Sequence, residues 1–141
     1  MANVIIYTNT SGNVSVCVPT GELPIQEVLT KDCPTGAIIV DDSTLPNADG
    51  DFFNSWELAN GAVTVNMTKA IAQQQANLNA LAKGEASHRA TNTGAGISNK
   101  LADSDWLALL TTARTAIAAA TTTQGLRDAI APVQDAITAN A

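Results

Sequence analysis

The side chains that could perform catalysis or bind a metal are few and widely spaced. His88 is the single histidine, and it lies beside Arg89 in a polar segment flanked by glycines. A general base needs an orienting partner, and the neighbouring sequence supplies none. We therefore expect His88 to be exposed and without a catalytic role. Cys17 and Cys33 together with one histidine do not make the ligand spacing of a metal site.

The two cysteines lie sixteen positions apart, and nothing else in the sequence indicates a small protein held together by disulfides. They could pair with each other. We expect both to be buried, reduced thiols, because a free cysteine behaves as a small hydrophobic side chain.

An acidic stretch, residues 47–51, resembles the middle of an EF-hand calcium loop. Leu45 would stand at its first ligand position and Trp56 at the position of the bidentate glutamate, so a solvated turn is favoured over a calcium site. The Gly94-Ala95-Gly96 run lacks the further glycine and the preceding strand of a phosphate-binding loop. The sequence predicts no cofactor, no metal and no enzymatic activity.

Charge and hydropathy exclude two classes of partner. The 141 residues carry a net charge of −6, so there is no excess of cations to neutralise nucleic-acid phosphates. No stretch approaches the roughly 20 apolar residues that span a bilayer. The amino-terminal residues lack the basic and apolar regions of a secretory signal, which predicts synthesis in a cytoplasm.

The elements that must position these side chains fall into two halves. Residues 1–66 hold eight acids and one base, whereas residues 67–141 hold five acids and six bases. Most valines and all but one proline lie in the first half, and alanine, threonine and glutamine dominate the second. The predicted fold class is α+β, with a small antiparallel β-rich domain at 1–66 and an Ala-rich helical region at 67–141.

The first half predicts two hairpins and one short helix. Alternating apolar residues predict strands at 4–7 and 14–18 around a turn rich in Asn and Gly. A helix is expected over 23–33 and a third strand over 37–40. Asn60-Gly61 between two further strand-like runs is the strongest short hairpin signal in the chain.

The second half predicts three helices, at about 67–83, 104–120 and 124–139, with a flexible connection at about 84–100. Asp103 or Ser104 is expected to cap the middle helix, and Thr121–Thr123 to separate it from the last. Pro132 is expected to kink or restart that last helix.

Two sets of apolar residues are candidates for binding another protein. The aromatics either seal the chain's own core or remain exposed as anchors. The narrow apolar seam of the last helix is lean, and we expect a second chain to cover it in a homo-oligomer. The candidate partner-binding residues are Phe52, Phe53, Trp56, Trp106, Leu126, Ile130, Val133 and Ile137.

The stretch from Asp51 to Ala70, DFFNSWELANGAVTVNMTKA, resembles a module of small proteins encoded by tailed bacteriophages. In that module a phenylalanine-containing turn leads to a tryptophan, a short hairpin and a helix opening with a Lys-Ala step. Leu101–Trp106, followed by Leu126-Arg127-Asp128, resembles the carboxy-terminal pattern of phage tail assembly chaperones and tail-fibre assembly proteins.

These resemblances imply a non-enzymatic phage protein located in the tail region of the virion. Such a protein would bind tail or tail-fibre proteins, as a resident structural component or as a transient assembly chaperone absent from the mature particle. A small ligand-binding module is a further alternative. No nucleic acid or membrane is expected as a partner.

Overall fold

The computed structural model describes residues 2–141, and the chain divides into two compact units. One unit ends at Asn66 and the other begins at Met67, the position at which charge and composition change. The chain contains both antiparallel strands and helices, which confirms the predicted α+β class.

A three-stranded antiparallel sheet forms the centre of the first unit. It consists of β1 (Asn3–Thr8), β2 (Val14–Cys17) and β3 (Ile38–Asp41) in the order β2-β1-β3. The turn between β1 and β2 is closed by Asn9, whose side-chain Oδ1 accepts the backbone amides of Ser11 and Asn13. This confirms the first predicted hairpin.

The second predicted hairpin is also confirmed. Strands β4 (Trp56–Ala59) and β5 (Ala62–Val65) pair antiparallel. Asn60 and Gly61 both have positive φ, at 53° and 77°, as a two-residue turn of type I′ requires. Trp56 and Val63 of this hairpin belong to one buried cluster with residues of the sheet, namely Val4, Ile6 and Val14.

The opposite face of the sheet is covered by a short helix, α1 (Ile25–Asp32), which packs against β1 and β3. Side chains alternate along a strand, so Ile5 projects away from the cluster that holds Val4 and Ile6. Ile5 is fully buried. The central strand β1 is therefore covered on both faces.

The acidic stretch after β3 is more regular than a loop. It forms two 3-10 segments, Asp42–Thr44 and Asn47–Ser55. Asp41 caps the first of them, because its Oδ1 accepts the Ser43 amide at 2.9 Å. That hydrogen bond holds the pKa of the Asp41 carboxyl below its usual value.

Three helices make up the second unit: α2 (Met67–Gly94), α3 (Asp103–Ala119) and α4 (Thr123–Ala139). The prediction that the first of these ends near residue 83 was wrong, since α2 includes the expected connection as far as Gly94. Large apolar residues are scarce after residue 84, but alanines favour a helix there and its buried face is polar.

Two smaller expectations about these helices also need correction. Ala102, not Asp103 or Ser104, occupies the N-cap of α3 and makes no side-chain cap. Helix α4 continues through Pro132 and does not restart there. The predicted break at Thr121–Thr123 is confirmed, because the Thr122 Oγ1 caps α4 by accepting the Gly125 amide at 3.0 Å.

Long-range hydrogen bonds show how the helices run. The Gln74 side chain donates to the Leu126 carbonyl, and His88 bonds the Asn140 carbonyl. Both pairs are separated by 52 residues, so α4 runs parallel to α2 with this constant offset. Gln75 donates to the Arg114 carbonyl, which places the end of α3 beside the start of α2. Within residues 2–141, no helix is long and apolar enough to cross a membrane.

Candidate functional site

Helix α2 buries polar side chains along one face. Glu85, Arg89 and Asn92 are all buried, and their spacing of four and three residues places them on the same side of the helix. They continue the buried row that begins with Ala70, Gln74 and Leu78. Charged residues are rarely buried unless they are paired or serve a function, so this face is the candidate functional site.

Arg89 joins α2 to the start of α3. Its Nε and Nη2 donate to the Asp103 Oδ1 at 3.0 and 2.7 Å, and Nη2 also donates to the Leu101 carbonyl. Its guanidinium carbon lies 5.9 Å from the centre of the Trp106 ring, within the range of a cation–π interaction. These contacts fix the position of the Trp106 ring and the first turn of α3.

An open groove of about 640 Å³ lies beside this pair, between α2 and α3. On the α2 side it is lined by small residues that include Ala86 and Ala90. On the α3 side it is lined by Trp106 and by Leu107, which is 60% exposed. We call this feature the Arg89 groove, and its lining is suited to apolar side chains.

A polar network closes the same end of the helical unit. The buried Asn140 accepts the Lys100 amide at its Oδ1 and donates from its Nδ2 to the Asn99 side chain. Asn92 donates to the same Asn99 oxygen at 2.9 Å. The His88 Nε2 lies 2.7 Å from the Asn140 carbonyl, so in this arrangement Nε2 carries the proton and donates it.

His88 is therefore half-buried and serves to hold the end of α4, and the expectation that it is exposed was wrong. Among residues 2–141, no cluster of three or more His, Cys, Asp or Glu side chains could hold a metal ion. Cys17 and Cys33 are free thiols, as expected, but both are half-buried where full burial was predicted.

Glu85 is the one side chain of the described chain whose buried polar atoms have no hydrogen-bond partner. Both carboxylate oxygens are buried and unbonded, and the residue is 3% exposed. The offset between α2 and α4 places Glu85 level with Ile137. Burying a polar group without a partner costs free energy.

We expect Glu85→Met to stabilise the helical unit by about 1–3 kcal/mol, because the substitution removes the unbonded oxygens and keeps an unbranched side chain of similar size. Chemical denaturation followed by circular dichroism measures the change. Glu85→Gln is the matched control, since its amide still lacks partners, and its gain should be smaller. A less stable Met variant would mean that the carboxylate makes a favourable interaction.

The predicted aromatic anchors lie mostly inside the protein. Phe52 and Trp56 are buried at 1% and 4% exposure, which favours the reading that they seal the core. Phe53 is partly exposed, and its ring centre lies 4.8 Å from that of Trp56. Trp106 is buried as well, although it lines the Arg89 groove.

The seam of α4 is covered within the chain. Leu126, Ile130 and Val133 are buried and Ile137 is half-buried, because α2 and α3 pack against α4. The prediction that the seam faces a second chain was wrong for this reason. That the protein forms a homo-oligomer stays a prediction.

Sequence reasoning missed Glu85, Arg89, Asn92 and Asn140 as structural partners. They lie in or contact the segment that was expected to be a flexible connection. The polar residues at positions 85, 89 and 92 have a helical spacing, but a search for periodic apolar residues does not detect it. Helix-favouring alanines between these positions were the available signal.

Comparisons with family models, with curated proteins and with solved structures find no match to this chain.

Proposed function

We propose that this chain is a non-enzymatic component of a bacteriophage tail or tail fibre that works by binding another virion protein. It is made in the cytoplasm of the bacterial host and is carried in the tail region of the virion. The proposal rests on the sequence resemblance of residues 51–70 and of residues 101–106 with 126–128, and on the Arg89 groove.

The Arg89 groove is the proposed binding site for the partner protein. Leu107 is 60% exposed at the edge of the open groove, whose opposite wall on α2 includes the small residues Ala86, Ala90 and Gly94. Small side chains let a partner approach the α2 backbone closely, and covering Leu107 removes apolar surface from water. A partner helix with apolar residues at a spacing of three and four fits such a groove.

Arg89 supports binding of a partner because it keeps the wall of the groove rigid. Its bonds to Asp103 and Leu101 hold the Trp106 wall in place before any partner arrives. A preformed groove loses less conformational entropy on association, which favours binding.

The test is incorporation of groove variants into phage particles. We expect Leu107→Glu to lower the amount of this chain in purified particles at least about tenfold, because the partner would have to bury an unpaired carboxylate. Val18→Glu is the matched control, since Val18 is 69% exposed and lies in the first unit. Circular dichroism checks that both variants fold, and equal incorporation of both contradicts the proposal.

A transient assembly chaperone is the alternative within the same class. In that case purified particles lack the chain, and tail-fibre protein produced without it aggregates or fails to trimerise. Co-expression with wild-type chain restores soluble fibre protein, whereas co-expression with the Leu107→Glu variant does not. Fibre protein that assembles equally well without the chain contradicts this alternative.

The size of the groove favours one further candidate. A volume of about 640 Å³ lies within the range of small-molecule sites, and Arg89 lies at its wall. A small aromatic carboxylate that raises the melting temperature of the wild-type chain, but not of the Leu107→Glu variant, would support a ligand-binding module. No shift across a panel of such carboxylates counts against it.

A further inference from the structure

The two cysteines of the chain lie at the ends of adjacent elements in the first unit. Cys17 is the last residue of β2, which is an edge strand of the sheet. Cys33 is the residue that ends α1, and its backbone is extended. Both side chains are half-buried free thiols.

The two residues lie near each other in the fold, because Cys17 and Asp32, the residue before Cys33, line the same cavity. Partial burial raises the pKa of the Cys33 thiol, and the nearby Cys17 side chain raises it further. Cys17 also lines a cavity of about 260 Å³ together with Val28 and Asp32 of α1. The strand end and the helix end therefore share one cavity, which a small reagent can enter.

Helix α1 is weakly held by other contacts. All eight of its residues are described, and none of them is fully buried. Pro24 at its N-cap makes no side-chain hydrogen bond to the first turn. A covalent link at Cys33 would restrain α1, which packing and capping hold only weakly.

We propose that Cys17 and Cys33 are a redox-active pair that closes into an intrachain disulfide and ties α1 to the edge of the sheet. The oxidant is a low-molecular-weight disulfide such as oxidised glutathione. One cysteine thiolate attacks the oxidant, forming a mixed disulfide and releasing one glutathione thiol. The second cysteine thiolate then attacks the protein sulfur of that mixed disulfide and releases the second glutathione.

The reaction balances without any other reagent. Two protein thiols and one oxidised glutathione give one protein disulfide and two reduced glutathiones, so two electrons pass from the cysteines to glutathione. In a reducing cytoplasm the pair stays as thiols, and outside the cell it closes. This pair lies in the first unit, so the inference does not depend on the Arg89 groove.

Closing the loop between these residues restricts the unfolded chain. In the chain-entropy model a loop of this length lowers the unfolding equilibrium constant of the first unit by on the order of 100-fold. For a unit of this size the corresponding rise in melting temperature is roughly 10–20 °C. Exchange of the α1 amide hydrogens should slow in parallel, because the helix can no longer detach from the sheet.

The test uses the full-length protein in glutathione buffers of graded ratio at mildly alkaline pH, where more thiolate is present. We expect loss of both free thiols, a mass lower by two hydrogens and a non-reducing peptide that joins Cys17 to Cys33. The melting temperature rises as described, and dithiothreitol reverses every change. The single variants Cys17→Ser and Cys33→Ser are the matched controls, and neither shows the rise.

Three results would overturn the proposal. One is oxidation that yields only glutathione adducts, and another is oxidation that yields only disulfide-linked dimers. The third is an intrachain disulfide that leaves both the melting temperature and the α1 amide exchange unchanged. The controls differ from the wild type by a single atom, and circular dichroism checks that both variants fold.

Discussion

Replacing Trp56 with alanine should remove a large part of the stability of the first unit. Trp56 is 4% exposed and belongs to the buried cluster that joins the β4–β5 hairpin to the sheet. Its Nε1 donates to the Asp49 carbonyl at 3.1 Å, which anchors the acidic 3-10 segment to the hairpin. Removing a large buried aromatic side chain costs about 3–5 kcal/mol.

This loss is large relative to what so small a unit has. At the usual stability per residue, a unit that ends at Asn66 has a free energy of unfolding of about 3–10 kcal/mol. Its small size limits the fraction of its surface that it can bury. The Trp56 substitution therefore removes a large part of the total.

A lower midpoint for loss of the β-sheet signal in chemical denaturation followed by circular dichroism, together with faster amide exchange in residues 2–66, measures this effect. Phe53→Ala is the matched control, because Phe53 is an aromatic neighbour that is 37% exposed, and we expect it to cost less than about 2 kcal/mol. A Trp56→Ala chain that keeps its stability but loses binding to a tail protein would instead identify Trp56 as an anchor for that protein.

Replacing Ile130 with aspartate should unfold the helical unit. Ile130 is 4% exposed on α4, whose apolar seam is covered by α2 and α3 of the same chain. The substitution removes a buried aliphatic side chain and introduces a carboxylate with no partner. Together these effects cost about 4 kcal/mol or more.

Helix content measured by circular dichroism should fall sharply for Ile130→Asp. Gln134→Asp is the matched control, since Gln134 is exposed on the same helix and we expect a change within about 0.5 kcal/mol. Solution mass gives the other half of the test. A fully helical Ile130→Asp chain that has lost only its self-association would restore the hypothesis that the seam binds a second copy.

The local sequence pattern was sufficient to predict the strands and turns of the first unit. Alternating valines and isoleucines marked the strands, and Asn60-Gly61 marked a turn whose positive φ angles only a few residue types adopt readily. Such signals act between near neighbours in the chain, so they can be read without knowledge of the fold. Trp56 could be named as important, but its burial depended on the sheet that meets it.

Local pattern failed where the buried face of a helix is polar. Glu85, Arg89 and Asn92 gave no apolar periodicity, so α2 was predicted to end too early. Their burial depends on partners far along the chain, such as Asp103 for Arg89 and Asn99 for Asn92. Nothing near residue 89 in the sequence indicates that Asp103 will be its neighbour.

The sequence by itself therefore determined the α+β class, the strands, both hairpin turns and the apolar seam of α4. These depend on backbone sterics, turn chemistry and side-chain periodicity, which act over a few residues. Only the tertiary structure decided that α2 and α3 cover the seam, that Arg89 pairs with Asp103 beside an open groove, and that Cys17 lies beside the end of α1 that Cys33 follows. Such pairings join residues distant in the chain, and they form because packing buries apolar surface and because pairing lowers the cost of burying a polar group.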